Sequence, residues 1–190
     1  MEGSTTGFLE TNGARLYYEV DFALESPERG AGLVPVCAGL SGFDYDNHTP
    51  DNERAVFEAM EALEASGADV EKMIDLDAQV WVDGFYRNGH APAHVRDYVR
   101  RAMQVAYARP QHSQVITLSP PAAGQLGDIR VPTLVIVGAI DTVDTRAAAD
   151  AVVSGIPNAR KLVIEGTAHL PNMEKPEEFN CALLAFLDGI

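Results

Sequence analysis

The sequence has 190 residues, of which 46% are hydrophobic and 22% charged, and these values exclude a disordered chain and allow one sizeable core. Its 14 basic and 28 acidic side chains give a net charge of −14 at pH 7. We therefore expect no nucleic-acid partner and no membrane partner, because nucleic-acid backbones and anionic membranes both attract basic surfaces.

The sequence also predicts a compartment. No apolar run approaches the ~18 residues that span a bilayer, and the first ten residues lack the basic region and apolar core of a secretory signal. Cys37 and Cys181 lie in apolar surroundings and form no CxxC motif. We expect two buried, reduced thiols in a cytoplasmic protein.

The first third of the chain predicts strands. Two strand-like runs flank Asn12-Gly13, a dipeptide typical of hairpin turns. Apolar and polar residues then alternate from Leu16 to Leu24, which predicts one long half-buried strand. After a turn, the apolar run Leu33–Cys37 predicts a short buried strand, in which Pro35 disfavours a central antiparallel position.

The middle third predicts three helices from apolar residues at helical spacing. The first has Thr49 as its cap, Pro50 as its first residue and Gly67 at its end. The second runs over about 69–82, and the third begins near Pro92. The apolar stripes expected of the second and third helices are Val70, Met73, Ile74 and Trp81, and Val95, Tyr98, Val99, Ala102, Met103, Ala106 and Tyr107.

Charge is segregated within this helical region. Residues 41–77 contain 11 acids and 2 bases, a net charge of −9, and residues 85–110 contain 1 acid and 5 bases, a net charge of +4. We expect solvated helix faces of opposite sign that pack on each other, in preference to a binding patch for a charged partner.

The last third predicts an α/β fold. Residues 131–138 form a continuous apolar, β-branched run, which is typical of a parallel strand covered on both faces. A helix at about 145–154, a strand at 161–164 and a final helix from Pro176 follow. Strand, helix, strand and helix in this order indicate parallel strands with flanking helices.

Two polar residues follow the ends of these strands, Asp141 after the first and His169 after the second. Either one alone would be interpreted as a loop-capping aspartate or an ordinary turn histidine. Together they lie at consecutive strand ends, the edge where reactive groups gather in α/β sheets. A carboxylate beside an imidazole fixes its tautomer, so we predict Asp141 and His169 as catalytic residues within hydrogen-bond reach, with Asp144 as the alternative acid.

The residues around this pair resemble the α/β-hydrolase family. Gly138-Ala139-Ile140-Asp141 is similar to the loop that carries the family's triad acid, and 166–174 is similar to its histidine loop. The hairpin 7–20 resembles the first two strands, and 33–43 resembles a later strand and its loop. The resemblance implies an α/β-hydrolase-like core from 1–43 and 127–190, with a truncated parallel sheet and flanking helices, and a helical cap from 44–126.

The resemblance implies a cofactor-free, serine-type hydrolase of small carboxylic esters, lactones or related acyl compounds, with a small acyl substrate as its partner. The family nucleophile lies in a G-x-S-x-G elbow. No serine, cysteine or aspartate here has glycine at both −2 and +2, and no His-Gly pair supplies the usual oxyanion loop. The nearest match, around Ser41, has Phe43 in place of the second glycine. Ser41 is the one substitute nucleophile that we consider.

The resemblance implies that the family's segment from the third strand to the elbow is missing between Val20 and Asp21. A natural deletion, an engineered one and a faulty gene model would all give this sequence. Its loss would bare one edge of the Leu33–Cys37 strand, so we expect the 14–24 strand to cover that edge, or the chain to form a homodimer or aggregate there. The function then falls into two classes: a hydrolase, or a non-catalytic remnant that binds a ligand or partner.

Other motifs are weaker. His90 and His94 have the i, i+4 spacing of two metal ligands, but no third ligand stands at metal-site spacing, so we expect no metal site. Trp81 is interpreted as a core residue in preference to a pocket residue. No glycine-rich phosphate loop is present, and no cofactor is expected.

Overall fold

The structure is a computed structural model that describes residues 8–11, 14–17, 23–24, 27–67, 69–108 and 119–190. Strands β1 (Phe8–Thr11) and β2 (Ala14–Tyr17) pair in antiparallel fashion. The hairpin prediction is confirmed by this pairing, although its turn at 12–13 lies outside the described residues.

The predicted strand through Leu24 is wrong at its end. Ala23 and Leu24 are helical, as strong helix formers, and they pack partly buried against the core. Residues 18–22 of that prediction lie outside the described residues. In the described part of the chain, β2 pairs with β1 and with no other strand. The structure therefore gives no support to a 14–24 strand that covers the edge of Leu33–Cys37.

The predicted parallel strands of the last third are confirmed. Strand β3 (Leu134–Gly138) pairs in parallel with β4 (Arg160–Ile164). Every residue of β3 is buried, as expected of a strand covered on both faces. Val135 and Val137 face one core cluster and Leu134 and Ile136 face another. The sheet thus has a packed layer on each face.

The segment Leu33–Cys37 runs parallel to β3, but as two isolated bridges and not as a continuous strand. Leu33 N donates to Pro132 O, and Cys37 N donates to Ile136 O, each at 2.9 Å. In this register the bond between these two would come from the backbone nitrogen of Pro35, which has no proton to donate. The predicted strand is therefore correct in position, it runs parallel to β3, and Pro35 interrupts its ladder.

The helices lie close to their predicted positions. Their bounds are α1 Asp51–Ala65, α2 Val70–Asp77, α3 Ala93–Tyr107, α4 Val143–Gly155, α5 Pro171–Glu174 and α6 Pro176–Leu187. A π-helical segment, Ala78–Asp83, continues α2, and 3-10 turns lie at Pro27–Arg29, Ala122–Gly124 and Leu126–Asp128. None of the helices in the described ranges has the length and apolar character to cross a membrane.

Two predictions about these helices are wrong in detail. Thr49 does not cap α1, since its hydroxyl donates to Tyr45 O and Asp144 Oδ2, and Pro50 occupies the cap position. Val70, at the first turn of α2, and Tyr98 are exposed instead of buried. In α1, the apolar residues Val56, Phe57, Met60 and Leu63 are partly buried, and the one buried residue is Glu53.

The charged faces pack on each other as expected. Arg100 of α3 donates to Asp75 and to Glu71 of α2. Arg96 lies 3.0 Å from Asp83 in a second ion pair across the same interface. The acidic and basic segments therefore neutralise one another in part.

The two cysteines differ in exposure. Cys37 is buried, as predicted, and Cys181 is exposed, so that half of the prediction is wrong. Phe179 and Phe186 form the buried face of α6. Cys181 follows Phe179 by two positions, which is about 200° around a helix, so its side chain lies on the opposite face.

Candidate active site

The loops that follow β3 and β4 are joined by backbone hydrogen bonds. Ala139 N donates to Ile164 O at 3.1 Å, and Ile140 N donates to Thr167 O at 3.1 Å. These bonds extend the parallel pairing beyond the strand ends. They bring the two candidate residues to one edge of the sheet.

Gly138 makes this close approach possible. A Cβ atom at Gly138 would lie 2.0 Å from Ala168 O and 2.3 Å from Thr167 O, closer than side-chain atoms ever lie to a backbone carbonyl. The histidine loop therefore packs directly on the backbone at the end of β3. Only glycine leaves room for it.

Asp141 and His169 meet at this edge. His169 Nδ1 lies 3.1 Å from Asp141 Oδ1 and 3.0 Å from Oδ2. Asp141 is 1% exposed, and the His169 side chain is 27% exposed. Thr142 N donates to Asp141 Oδ1 at 2.8 Å, which orients the carboxylate. The carboxylate accepts the Nδ1 proton, so Nε2 is left as the proton acceptor of the neutral ring.

The alternative acid, Asp144, accepts hydrogen bonds at the start of α4 and none from His169 in the described part of the chain. It accepts hydrogen bonds from Thr142 Oγ1 at 2.5 Å, Thr145 N at 2.7 Å and Thr49 Oγ1 at 3.2 Å. A carboxylate in the first turn of α4 is stabilised by the helix N-terminus. Asp144 thus anchors the start of the helix, and Asp141 is the acid that reaches His169.

Ser41, the substitute nucleophile, is engaged elsewhere. Its Oγ accepts a hydrogen bond from Ala122 N at 3.0 Å, and its carbonyl accepts one from Ala123 N at 3.0 Å. No hydrogen bond joins Ser41 to His169 among the residues that the structure describes. Ser41 therefore secures the 121–123 turn in this structure.

Cys37 lies beside the pair, and sequence reasoning missed this placement. Its Sγ, a carboxylate oxygen of Asp141 and a ring nitrogen of His169 all lie within 4.8 Å of one another. Burial, and then the nearby Asp141 charge, raise the pKa of the Cys37 thiol well above its usual range. Cys37 is therefore a protonated thiol and a poor nucleophile. The signal available from the sequence was its position at the end of the predicted strand Leu33–Cys37.

An apolar pocket of about 440 Å³ borders His169. It is lined by Trp81, Val99, Ala102, Met103, Ala106, His169 and Leu170. Trp81 is half-buried, with its ring centroid 4.6 Å from that of His169. Trp81 is thus a pocket residue, not the core residue predicted, because the π-helical segment turns it towards the histidine loop.

Two of the α3 residues predicted as buried, Ala102 and Ala106, also line this pocket and are exposed. Their methyl groups leave the space that larger side chains would fill. The apolar face of α3 therefore serves the pocket over part of its length and the core over the rest.

The histidine loop is secured by a second carboxylate. Glu174 accepts hydrogen bonds from Ala168 N at 2.8 Å and from Arg87 Nη2. Arg87 Nη1 also donates to Gly166 O at 3.1 Å. Burial raises the pKa of Glu174, and its bonds to Ala168 and Arg87 oppose that rise. This network ties the residue before His169 to the segment that follows the π-helix.

His90 and His94 do not form a pair of ligands. His90 Nδ1 lies 2.9 Å from Asp83 Oδ2, while His94 is exposed. Asp83 also accepts a hydrogen bond from Ala91 N at 2.9 Å and forms an ion pair with Arg96, so it organises the start of α3.

Comparisons with solved structures identify the fold. The chain superposes on a hydrolase from Pseudomonas aeruginosa with a TM-score of 0.58 and 22% identity, covering 87% of this chain and 58% of that one. It superposes on carboxylesterase CesB (YbfK) from Bacillus subtilis with a TM-score of 0.56 and 22% identity, covering 90% of this chain and 56% of that one. These proteins are α/β-hydrolases, so the chain has the α/β-hydrolase fold with a truncated parallel sheet.

Curated proteins give shorter matches. A stretch of 67 residues is 45% identical to polyketide synthase ThaQ from Burkholderia thailandensis, which is 35% of this chain and 3% of that protein. A stretch of 65 residues is 40% identical to pimeloyl-[acyl-carrier protein] methyl ester esterase from Edwardsiella ictaluri. This stretch covers 34% of this chain and 25% of that protein. No protein-family model matches the chain. The chain spans a small part of these curated relatives and under two thirds of the solved structures.

Proposed function

We propose that this site binds small acyl compounds, namely carboxylic esters, lactones or related molecules, through the acid–base half of a serine-hydrolase triad. The observation that carries the proposal is the Asp141–His169 hydrogen bond at the border of an apolar pocket. In this pair Asp141 holds the imidazole in one tautomer, which leaves His169 Nε2 as the atom that would accept a proton from a nucleophile placed beside it. The pocket walls suit an acyl chain, because they are almost wholly apolar.

For this chain by itself we propose binding without appreciable hydrolysis. A histidine activates a nucleophile only within hydrogen-bond reach. Ser41 is bonded to Ala122, and the Cys37 thiol has a raised pKa. The glycine pattern of an elbow and the His-Gly pair of an oxyanion loop are both missing from the sequence. Since each oxyanion donor contributes about 10²-fold or more to the rate, the two losses compound.

A labelling experiment separates the hydrolase from the non-catalytic remnant. Pure protein is treated with a fluorophosphonate probe and assayed with a p-nitrophenyl ester, alongside Ser41→Ala and His169→Ala. We expect labelling far below one equivalent, and turnover that is the same in all three proteins. Stoichiometric labelling that is lost in Ser41→Ala, with turnover lost in His169→Ala, would show that the chain is a complete enzyme.

Binding is measured separately through Trp81, the one tryptophan of the chain and a wall of the pocket. Titration with methyl hexanoate is expected to change its fluorescence with saturation. Ala102→Leu narrows the pocket and should weaken binding several-fold. Val105→Leu is the matched control, because Val105 lies on the same helix but is exposed and outside the pocket lining. Equal affinity in both variants would refute pocket binding.

We also infer that residues 44–126 act as a cap over a core of 1–43 and 127–190, in a cytoplasmic protein. Support for the cap comes from α3, whose side chains lie across the pocket from Leu170 of the histidine loop. Support for the compartment comes from the two free cysteines, as expected under reducing conditions. Cell fractionation tests the location, and recovery of the native chain from an oxidising compartment would contradict it.

A further inference from the structure

The cluster of Cys37, Asp141 and His169 brings together three kinds of metal-ligating atom. One donor atom from each residue lies within 4.8 Å of the other two. Cys37 and Asp141 are buried, and His169 is half-buried. Sulfur, oxygen and imidazole nitrogen are the three ligand types that Zn²⁺ accepts in proteins. The three residues come from separate parts of the chain, so this convergence is produced by the fold.

We propose that Cys37, Asp141 and His169 form a binding site for one Zn²⁺ ion. The ligands are Cys37 Sγ, one oxygen of Asp141, and His169 Nδ1, the ring nitrogen that already faces the carboxylate. A site with three protein ligands leaves a fourth tetrahedral position for water or another small ligand. The ion would replace the hydrogen bond between Asp141 and His169 Nδ1, so the metal-bound form is an alternative to the acid–base pair of the proposed function.

The distances favour a tetrahedral ion. Zn–S bonds of about 2.3 Å and Zn–N or Zn–O bonds of about 2.0–2.2 Å place tetrahedral donor atoms about 3.4–3.6 Å apart. His169 Nδ1 and Asp141 Oδ2 are already 3.0 Å apart, and Cys37 Sγ lies within 4.8 Å of both residues. Side-chain shifts on the order of 1 Å therefore complete the coordination.

Charge balance also favours a divalent cation. A Cys37 thiolate and the Asp141 carboxylate together neutralise two positive charges, which a buried ion requires. Among the described residues, the ion-pair partner of Asp141 is His169, and no lysine or arginine pairs with it. On binding, the thiol proton of Cys37 leaves to solvent and the imidazole proton moves from Nδ1 to Nε2, so one proton is released per ion.

The backbone at Cys37 adopts an uncommon conformation. Its φ angle is +46°, in the left-handed region that non-glycine residues rarely adopt. Such conformations cluster at functional sites, where the surrounding structure holds them. The thiol has no strong hydrogen bond, since its contact with Ala168 O is 3.9 Å long. Burial disfavours the free thiolate, and a divalent ion bound to Sγ supplies the positive charge that compensates for it.

Cobalt spectroscopy tests the site directly. The metal-free chain is titrated with Co²⁺, which takes the same tetrahedral ligands as Zn²⁺ and absorbs visibly. We expect thiolate-to-cobalt charge transfer in the near-ultraviolet, visible bands of tetrahedral intensity, saturation at one equivalent, and bleaching by Zn²⁺. Wild-type protein that shows no thiolate charge-transfer band would overturn the proposal.

Variants assign the ligands. Cys37→Ser should remove the charge-transfer band, and His169→Ala, at a less buried position, should weaken affinity at least tenfold. Cys181→Ser is the matched control, because Cys181 is exposed and outside the cluster, and should leave the spectrum unchanged. If Cys37→Ser fails to fold by circular dichroism, the His169→Ala result decides. A band that survives in His169→Ala with unchanged affinity, or disappears in Cys181→Ser, refutes the site.

Discussion

Gly138→Ala should damage both the fold and the candidate site. The new Cβ would lie 2.0 Å from Ala168 O, whereas ordinary contacts begin near 3.4 Å, so backbone must move by about 1.4 Å. Overpacking of this kind costs about 1–3 kcal/mol. Each of the two backbone hydrogen bonds that join the strand-end loops adds about 0.5–1.5 kcal/mol if it is lost. We expect a total destabilisation of about 2–6 kcal/mol, a large part of typical domain stability.

The assay for Gly138→Ala is urea unfolding followed by circular dichroism, with the downfield imidazole N–H proton of His169 as a local reporter. Gly127→Ala is the matched control, because a Cβ there meets nothing within 4 Å. The variant should lose stability and the His169 signal, and the control should lose neither. A Gly138→Ala protein within 0.5 kcal/mol of the Gly127→Ala control, with the His169 proton signal intact, would refute the packing explanation.

Two further predictions concern Glu53 and the edge of the sheet. Glu53 accepts hydrogen bonds from Tyr86 Oη and Val143 N, and its burial raises the pKa of its carboxyl group. Because the folded pKa is the higher one, the contribution of Glu53 to stability is full below the unfolded pKa of about 4.3. That contribution is lost as the pH rises through the folded pKa. Glu53→Gln should therefore flatten the fall in the free energy of unfolding above about pH 4.3. Glu58→Gln, on the exposed face of α1, is the control and should leave that fall unchanged. Equal pH profiles of the two variants would contradict the role of Glu53. We also propose a homodimer through the outer edge of 33–37. It is supported by the backbone N–H groups of Val34 and Val36, which donate to no backbone carbonyl in the described part of the chain. Light scattering should show a concentration-dependent dimer in which these two amides exchange slowly, and a monomer with fast exchange at all concentrations would exclude it.

Much of the last third of the fold could be predicted locally. The β-branched run ending at Gly138 can bury both faces only inside a parallel sheet, so its identity does not depend on distant residues. The positions of Asp141 and His169 at two strand ends followed from the same pattern. The choice between Asp141 and Asp144 was less certain from sequence, because three residues separate them, and the hydrogen bonds of Asp144 to Thr142 and Thr49 decide it.

Exposure was harder to predict from local pattern. Trp81, Ala102 and Cys181 each stand in an apolar context, and hydrophobicity alone assigned them to the core. The structure instead places Trp81 and Ala102 on the pocket wall and Cys181 on an outer helix face. An apolar side chain satisfies the same pattern in a core or in a pocket. Which of the two it lines depends on what packs opposite.

The amino-acid sequence by itself determined the strand–helix order, the Asp141 and His169 loops and the absence of an elbow motif, since each is encoded within a few neighbouring residues. Only the tertiary structure decided that Cys37 joins this pair. Its thiol contacts the carbonyl of Ala168, 131 positions away, because Leu33–Cys37 pairs in parallel with β3. Such pairing depends on the packing of the whole sheet, and no local periodicity records which strand lies beside which.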